Sequence, residues 1–389
     1  MAEPSRTESS STPVRLPYGP VTLAELTAGL SWPRLLRSAI LALRPSRLVI
    51  AYLIILFIDG ITSAFSSALG ERAALVPNEL WRAIESGWDR AAVELSFFNI
   101  SAGLSSLVIA FVDVPIEMAI RAPWTFAGYV LLLLPFIAIL GAAISRSVAL
   151  EVGPHLDGSP QSAIGFALVR WRSILGAYLI PPAIIFVLGV LIAFLGWLLL
   201  RIPGLNVATA LLFGLLFPLG LVAAILGVAF FFAKVLLVPA IACDGCDAAD
   251  AIQRAFAYVL GRPGRMLIYA IVLLAQGLIV VLVAGWIVHL AVDATINLAM
   301  SWLPAHHAES LRQHTAIEAP FAAKSVHVWT SAALLLIPAY AASYFFSAST
   351  MLYLVLRRVN DGQDEHEIWL PNRTRTLNDD APVSGGSFE

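Results

Sequence analysis

The sequence predicts an all-α protein: a polytopic transmembrane helical bundle of about six spans, built from repeated helical hairpins with amphipathic helices on the inner side. The chain has 389 residues, of which 59% are apolar and 13% are charged, whereas a soluble domain is typically about a quarter charged. Several apolar runs reach the roughly 20 residues that a helix needs to cross a bilayer. These runs do not alternate between polar and apolar residues as the strands of a membrane barrel do.

Polar tails flank the membrane domain. Residues 1–20 and 371–389 are poor in large apolar side chains, which predicts disorder, so residues 21–370 are expected to form the helical membrane domain. The N-terminal tail lacks the apolar segment of a cleaved signal peptide, and the first span is therefore expected to direct its own insertion. The net charge of −2 gives no basic field, so nucleic acid is not expected as a partner.

Six apolar runs are predicted to cross the membrane. The fourth run is longer than a bilayer requires, which indicates that it tilts or projects beyond the surface. The predicted spans cover residues 48–69, 124–145, 174–200, 207–240, 266–290 and 328–356.

Three further segments are predicted to be interfacial helices. Residues 25–43 combine leucines on one face with nearby arginines, which is typical of a basic helix on the inner membrane surface; the alternative is an amphipathic helix packed on protein. Residues 78–98 place Trp81 and Trp88 on one apolar face, as at a headgroup boundary. Residues 102–112 are interpreted as re-entrant or interfacial because they are short, and a tilted seventh span is the alternative.

The distribution of positive charge predicts the orientation. Most of the 24 lysines and arginines fall in segments that the six predicted spans place on one side of the membrane, and this side is expected to be cytoplasmic. We therefore expect a multi-pass protein of the cytoplasmic (inner) membrane of a bacterium, with both termini in the cytoplasm. A seventh span would break this even topology.

The polar stretch between Val238 and Arg265 organises the chain, because long apolar runs enter and leave it. It predicts a turn at Asp244-Gly245 and an amphipathic helix over residues 248–260. Glycine permits the positive φ of a sharp turn, and the preceding aspartate can bond the following backbone.

The features of this stretch recur along the chain. Predicted spans two, four and six each run into an Asp-Gly pair: Asp157-Gly158, Asp244-Gly245 and Asp361-Gly362. Spans one, three and five each follow arginines: Arg44-Pro45-Ser46-Arg47, Arg170-Trp171-Arg172 and Arg262-Pro263-Gly264-Arg265. A genuine repeat of helical hairpins explains the shared order, and the alternative is that any inner loop collects arginine and turn residues.

Arginines just inside a span can reach lipid phosphates, so the lipid bilayer, and anionic lipids in particular, are the expected partners. The candidate headgroup contacts are Arg44, Arg47, Arg170, Arg172, Arg262 and Arg265. For Arg262 and Arg265 the alternative is an internal pairing with Asp244, Asp247 or Asp250.

A second candidate site lies within the membrane. Asp59 falls in the middle of the first span, where a carboxylate is costly unless it faces other helices, water or a partner. Together with Lys234 and Gln276 it forms a candidate intramembrane polar site for a proton or cation. The alternative is a protonated Asp59 that bonds a neighbouring helix.

Other chemistry-bearing residues do not assemble into a motif. Cys243 and Cys246 have CxxC spacing but lack the context of a redox pair or a zinc site. Five of the seven histidines fall near one another in the sequence without strong metal-ligand spacing: His289, His306, His307, His314 and His327. We therefore expect no metal and no cofactor.

One resemblance emerges from these motifs. The order apolar span, Pro-Ala-Ile-x-Cys-Asp-Gly, Ala-Ile-x-Arg-Ala-Phe helix, Gly-Arg, apolar span resembles the polytopic membrane domain of some glycerophosphodiester phosphodiesterases and of related uncharacterised bacterial membrane proteins. The segment Ser349–Arg358, followed by Asp361-Gly362, is similar to that family's closing signature. The resemblance covers residues 146–370. It implies a membrane domain of unassigned role, because no part of the sequence is expected to encode the catalytic barrel of those enzymes.

The sequence favours a non-enzymatic membrane protein that organises the membrane or binds a partner as a scaffold. A permease or channel for a small solute is the first alternative, and a lipid-handling membrane enzyme is the second. A mid-depth cavity lined by Asp59, Lys234 and Gln276 would favour transport, whereas a dry, leucine-packed interior would favour the scaffold.

Overall fold

The computed structural model of the protein describes residues 32–69, 71–156, 159–201, 213–304, 306, 308–309, 320–364 and 366–370. Within these residues the fold is all-α, with no strand. The helices, numbered in chain order, are α1 (Trp32–Leu35), α2 (Arg37–Ala42), α3 (Pro45–Leu69), α4 (Glu71–Ser96), α5 (Ile100–Arg121, π-helical over Ile109–Asp113), α6 (Pro123–Val152), α7 (Pro160–Val169), α8 (Trp171–Arg201), α9 (Leu216–Asp244), α10 (Ala248–Gly261), α11 (Pro263–Ala299), α12 (Pro320–Leu334) and α13 (Leu336–Asp361).

Seven stretches of helix in the described residues are long and apolar enough to cross a membrane: α3, α5, α6, α8, α9, α11 and the joined α12–α13. The predicted class, a polytopic helical membrane protein, is confirmed. Each of the six predicted spans falls in one of these stretches, although residues 207–212 of the fourth lie outside the described residues. Several helices continue well past the predicted ends, and α6 reaches Val152 because its polar end is buried by protein.

The core of the bundle lies at one end, which we call the arginine end and define by the buried residues Arg47, Arg146 and Arg357. Here the beginning of α3 meets the ends of α6, α9 and α13. The helices bury leucine and alanine side chains against one another at this end, including Leu236, Leu237, Leu354, Ala142 and Ala240. Farther along, many large apolar side chains of α8 and α11 face outwards, as expected for helices that contact lipid.

Helix α4 folds back along α3 as an antiparallel hairpin. Leu80 of α4 packs in the cluster that contains Ile58 and Ile61 of α3. Trp81 Nε1 donates to the Tyr129 hydroxyl at 2.7 Å, and the same hydroxyl lies 2.6 Å from Thr62 Oγ1. Helix α4 therefore lies beside the apolar part of α3, and it is longer than the interfacial helix predicted for residues 78–98.

Helix α5 packs antiparallel on α4. Gly87 approaches Ala110 so closely that an added Cβ would lie 2.4 Å from the Ala110 Cβ, and Gly103 faces Leu95. The short interfacial segment predicted for residues 102–112 is thus the middle of a helix that is apolar enough to span.

Helix α3 begins and α13 ends at the arginine end, so these two helix ends lie on the same side of the described bundle. Helices α4 and α5 form a hairpin that starts and ends at the opposite side, and of the two only α5 is apolar enough to span. The expectation that a seventh span would break the even topology stays a prediction.

The described part of the segment predicted as an interfacial helix, residues 32–43, packs on protein. Leu35, Ser38 and Leu41 are buried. Ser343 Oγ of α13 donates to the Ala42 carbonyl at 2.8 Å. Packing on protein, the alternative reading, is what the structure shows for this part; residues 25–31 lie outside the described residues.

The predicted turns and the amphipathic helix at the arginine end are present. Helix α10 begins after Asp247, whose carboxylate accepts the Asp250 backbone N–H at 2.9 Å as an N-cap. Gly245 and Gly362 both have positive φ, 60° and 70°, as the Asp-Gly turns require. The third pair, Asp157-Gly158, lies outside the described residues, as do the predicted disordered tails 1–20 and 371–389.

Candidate functional site at the arginine end

The carboxylate of Asp244, the last residue of α9, is the centre of a polar network. Its Oδ1 accepts from Arg357 Nη1 at 2.5 Å, and its Oδ2 accepts from Arg254 Nη1 at 2.6 Å. The Tyr353 hydroxyl also donates to Oδ2. One carboxylate therefore joins α9, α10 and α13.

Arg357 extends this network to the segment after α13. Its side chain is 1% exposed, and its Nη2 donates to the backbone carbonyls of Asp364 at 2.9 Å and Glu367 at 2.8 Å. Such a buried charge is tolerated only when it is paired and hydrogen-bonded. Arg357 thus holds Asp364 and Glu367 against the end of the bundle.

Arg146 secures the same segment from α6. It donates to the Ala242 carbonyl at 2.7 Å and to the Trp369 carbonyl at 2.8 Å, and its guanidinium lies 4.6 Å from the centre of the Phe166 ring. The Trp369 backbone N–H donates to the Cys243 carbonyl at 2.9 Å. A Cβ at Gly245 would lie 2.5 Å from the Trp369 indole, so glycine is required here both for φ and for space.

Arg47, a predicted headgroup contact, is the third buried arginine, and its guanidinium bonds to protein groups. It is 1% exposed, donates to the Ser147 hydroxyl at 3.1 Å and to the Leu41 carbonyl at 2.5 Å, and forms an ion pair with Glu151 of α6. The prediction is wrong for Arg47 because Glu151, more than a hundred residues away, provides an internal partner. Arg44 pairs with the same carboxylate at 2.8 Å but is half exposed.

The other predicted headgroup contacts lie nearer the surface. The Arg170 guanidinium stacks 5.2 Å from the Trp369 ring, and Arg172 is exposed beside Trp171. Arg262 is exposed and Arg265 is half-buried, and neither forms a salt bridge within the described residues. Their alternative partner Asp244 is bound by Arg254 and Arg357 instead.

A polar cleft of about 310 Å³ opens beside the network, between α10 and the end of α13. The Tyr258 hydroxyl donates to the Asp361 carboxylate at its edge. Burial and this carboxylate both raise the pKa of Tyr258, so the phenol stays protonated. Burial opposes the charge on Arg254, but the Asp244 carboxylate beside it raises the Arg254 pKa. The cleft is lined by Asp250, Gln253, Arg254, Ala257, Tyr258 and Asp361.

The predicted intramembrane site is not assembled. Asp59 of α3 is exposed, Lys234 of α9 lies 4.6 Å from the Phe231 ring, and Gln276 of α11 donates to the Leu36 carbonyl at 2.8 Å. No hydrogen bond or ion pair among the described residues joins any two of the three. The three residues lie on three different helices, and the contacts that the structure gives for Lys234 and Gln276 are to other residues.

Cys243 and Cys246 are both free thiols. Burial, with the negative charge of Asp244, raises the pKa of Cys246 to about 12. Since the thiolate is the reactive form, Cys246 is a poor nucleophile. Among the described residues no three His, Cys, Asp or Glu side chains cluster closely enough to hold a metal ion, and His307 and His314 lie outside that part of the chain.

Comparison of the chain with family models, with curated proteins and with solved structures finds no match. The resemblance to the membrane domain of glycerophosphodiester phosphodiesterases therefore stays a prediction.

Sequence reasoning missed most members of the network: Glu151, Arg146, Arg254, Tyr353, Arg357 and Trp369. A signal did exist for two of them, because Arg146 and Arg357 interrupt or end apolar runs, where a charge needs a partner. Nothing in the sequence indicates that the partners are Asp244 and two backbone segments.

Proposed function

We propose that this chain is a non-enzymatic, multi-pass protein of a bacterial cytoplasmic membrane that acts as a partner-binding scaffold. In this proposal the arginine end faces the cytoplasm, as the excess of lysine and arginine on that side favours. Thiol labelling from each side of the membrane at Gln253→Cys and Ala308→Cys tests the orientation: Gln253→Cys is expected to react only from the cytoplasmic side.

The observation that carries the proposal is that both carboxylate oxygens of Asp244 accept hydrogen bonds from neighbouring side chains. Three side chains donate to its two oxygens, and two of the donors are arginines. A carboxylate held in this way is not available as a base or a nucleophile. The strongest polar cluster at the arginine end therefore serves to hold helices together.

The packing of the arginine end also supports a scaffold. Its interior consists of closely packed leucine, valine and alanine side chains, and its three buried arginines donate to carboxylates and backbone carbonyls of the same end. Such an end presents a pre-organised surface, which reduces the entropic cost of binding. The cleft beside α10 is the part of that surface that offers donors and acceptors together, with Gln253 and Asp250 exposed at its rim.

Photo-crosslinking in intact membranes tests the proposal. A photoreactive amino acid at Gln253 or Ala257, both exposed at the cleft, is expected to give an adduct with one protein of defined mass. The matched control is Leu274 of α11, which is 72% exposed and faces outwards on an apolar helix, and which is expected to give lipid adducts only. Absence of a protein adduct at both cleft positions contradicts the scaffold.

A permease is the second candidate, and the position of Asp59 favours it. An exposed carboxylate within a span needs water, a lipid headgroup or a partner to offset its desolvation. Proteoliposome flux assays separate the two functions. Solute or proton flux that disappears in Asp59→Asn would support transport, whereas the scaffold predicts the same background flux for wild type and variant.

A further inference from the structure

Two histidines from distant parts of the chain lie side by side at the arginine end. His155 follows the end of α6, and His366 belongs to the segment after α13. Their ring centres are 5.4 Å apart, the rings are tilted by 60° to each other, and both side chains are exposed. Because the two residues are far apart in the sequence, motif spacing gives no sign of this pair.

Each ring is anchored through the same nitrogen. His155 Nδ1 lies 3.1 Å from the Glu151 carbonyl oxygen, and His366 Nδ1 lies 2.9 Å from the Gly153 carbonyl oxygen. A carbonyl oxygen can only accept a hydrogen bond, so Nδ1 carries the proton in both rings. In a neutral imidazole the lone pair is then on Nε2, where a metal ion can bind. Histidines that bind metals commonly donate the other ring N–H to a backbone carbonyl in this way.

The two Nε2 atoms are directed away from the helix that anchors the rings. Both Nδ1 atoms reach carbonyls at the end of α6, and Nε2 lies on the far side of each ring. Capping of the last carbonyls of a helix explains the Nδ1 contacts. It leaves both Nε2 atoms without a hydrogen-bond partner within the described residues.

The separation of the rings matches that of two imidazoles on one metal ion. A zinc ion about 2.1 Å from Nε2 lies roughly 3.2 Å from the ring centre, so two imidazoles at a tetrahedral angle have centres about 5.2 Å apart. The observed separation is 5.4 Å. The rings are therefore already at the distance that a shared ion requires.

The backbones that carry the two rings are held in place. His155 has a left-handed φ of 55°, which histidine adopts more readily than most non-glycine residues. The following N–H, that of Leu156, donates to the Leu150 carbonyl at 3.0 Å. Arg357 donates to carbonyls before and after His366, at 2.9 and 2.8 Å. A site that is formed before its ligand arrives loses less entropy on binding.

We propose that His155 and His366 bind one divalent transition-metal ion through their Nε2 atoms. Imidazole nitrogen suits Zn²⁺, Cu²⁺ or Ni²⁺, whereas Mg²⁺ and Ca²⁺ prefer oxygen. Within the described residues no third His, Cys, Asp or Glu side chain is grouped with the pair closely enough to share the ion, so water fills the remaining positions. The ion joins residues 366–370 to the end of α6 and stabilises this docked arrangement, because it binds the folded protein more tightly than the unfolded chain. The site is independent of the scaffold role proposed above.

Substitution with asparagine separates the metal site from the helix cap. The asparagine amide nitrogen takes the place of histidine Nδ1, so His155→Asn and His366→Asn keep the donor to the carbonyl and lose Nε2. Calorimetric titration of the full chain, purified without a polyhistidine tag, with ZnCl₂ is expected to show binding by wild type. Each Asn variant is expected to bind at least tenfold more weakly, because one of the two protein ligands is gone. His327→Asn, at an exposed histidine of α12, is the control and leaves the affinity unchanged.

Electron paramagnetic resonance of bound Cu²⁺ identifies the ligands. Wild type is expected to show coupling to two imidazole nitrogens, and each Asn variant coupling to one. Hydrogen exchange of residues 366–370 is expected to slow when Zn²⁺ is added to wild type and to stay unchanged in the variants. Two results would overturn the proposal: a wild type that binds no Zn²⁺, or wild-type affinity in both folded Asn variants, which would place the ion at other histidines.

Discussion

The buried arginines of the arginine end each carry a charge that only neighbouring protein groups can compensate. Arg357 and Arg47 rely on single carboxylates, Asp244 and Glu151, whereas Arg146 relies on two carbonyls and an aromatic face. Removing one partner of a buried pair leaves the other charge buried without a partner. The loss of stability is then typically larger than the contribution of the intact pair. The consequences of substitution therefore differ sharply between neighbouring residues of the same type.

Asp244→Asn is expected to lower the free energy of unfolding by about 3–5 kcal/mol, because it leaves Arg357 buried without a countercharge. Asp250→Asn is the matched control, since Asp250 is exposed and a surface substitution typically changes stability by less than about 0.5 kcal/mol. Thermal unfolding in detergent measures both. Equal stability of the two variants would contradict the assigned role of Asp244.

Arg262 and Arg265 lack the internal partners that Arg47 has. Replacing both with Gln is expected to reduce retention of anionic lipid, since each basic residue near such a surface contributes about 1 kcal/mol, while leaving thermal stability unchanged. Arg47→Gln is expected to lower thermal stability and to leave the retention of anionic lipid unchanged, because it removes a buried ion pair. Native mass spectrometry and thermal unfolding of both variants separate the roles; a large loss of stability in the Arg262/Arg265 double variant would contradict them.

Cys246 provides a test of pH dependence. Its pKa is raised to about 12, so the folded protein holds the thiol proton over a range where the unfolded chain loses it. The contribution to stability is therefore complete below the unfolded pKa and is lost as pH rises through the folded value. At pH 8 the thiolate fraction is on the order of a thousandfold lower than at an unperturbed thiol.

Iodoacetamide labelling at pH 8 is accordingly expected to be very slow for Cys246 in folded protein and fast after denaturation. The exposed thiol of Gln253→Cys serves as an internal control. Equal labelling rates at the two positions in folded protein would contradict the buried, protonated state.

Among the elements, the segment after α13 depends on the turn after α9. Gly245 adopts φ +60° directly beneath the Trp369 indole, whereas Gly362 has φ +70° with no atom near its potential Cβ. These two glycines separate the effect of backbone conformation from the effect of packing.

Gly362→Ala is expected to lower the free energy of unfolding by roughly 1–2 kcal/mol, because only the left-handed backbone conformation opposes the added Cβ. Gly245→Ala is expected to cost more, because it also displaces Trp369 and weakens the bond from its N–H to the Cys243 carbonyl. Combining Gly245→Ala with Trp369→Ala should remove the steric part, so the two losses should not add. Additive losses in thermal unfolding would show that the indole does not press on Gly245.

The same elements show how far the sequence could be interpreted. The spans, helix α10 and the glycine turns follow from apolar run length, periodicity and turn chemistry, which are local properties. The network does not, because Arg47 and Glu151 are 104 residues apart and Asp244 and Arg357 are 113 apart. The same Arg-Pro-small-Arg pattern occurs at residues 44–47 and 262–265, yet Arg47 is buried in an ion pair with Glu151 whereas the matching Arg265 is half-buried and forms no salt bridge within the described residues. Which arginine forms an ion pair with a carboxylate depends on how the helices are arranged in the fold.

At the scale of the whole molecule, the two ends of the described bundle differ. One end is a closely packed polar and apolar core, and away from it the helices turn large apolar side chains outwards. This division agrees with the proposed scaffold, in which the arginine end presents a surface to a partner and the outward apolar side chains contact lipid. The central claim is that Asp244 holds that end together.

Hydrogen–deuterium exchange of wild type and Asp244→Asn in nanodiscs tests this claim most directly. We expect slow exchange in wild type for the amides of α10 and of the last turns of α13. In Asp244→Asn both regions should exchange faster together, because one carboxylate joins them, while the α4–α5 hairpin stays unchanged. Unaltered exchange at α10 and α13, or a uniform increase across the whole chain, would contradict the claim.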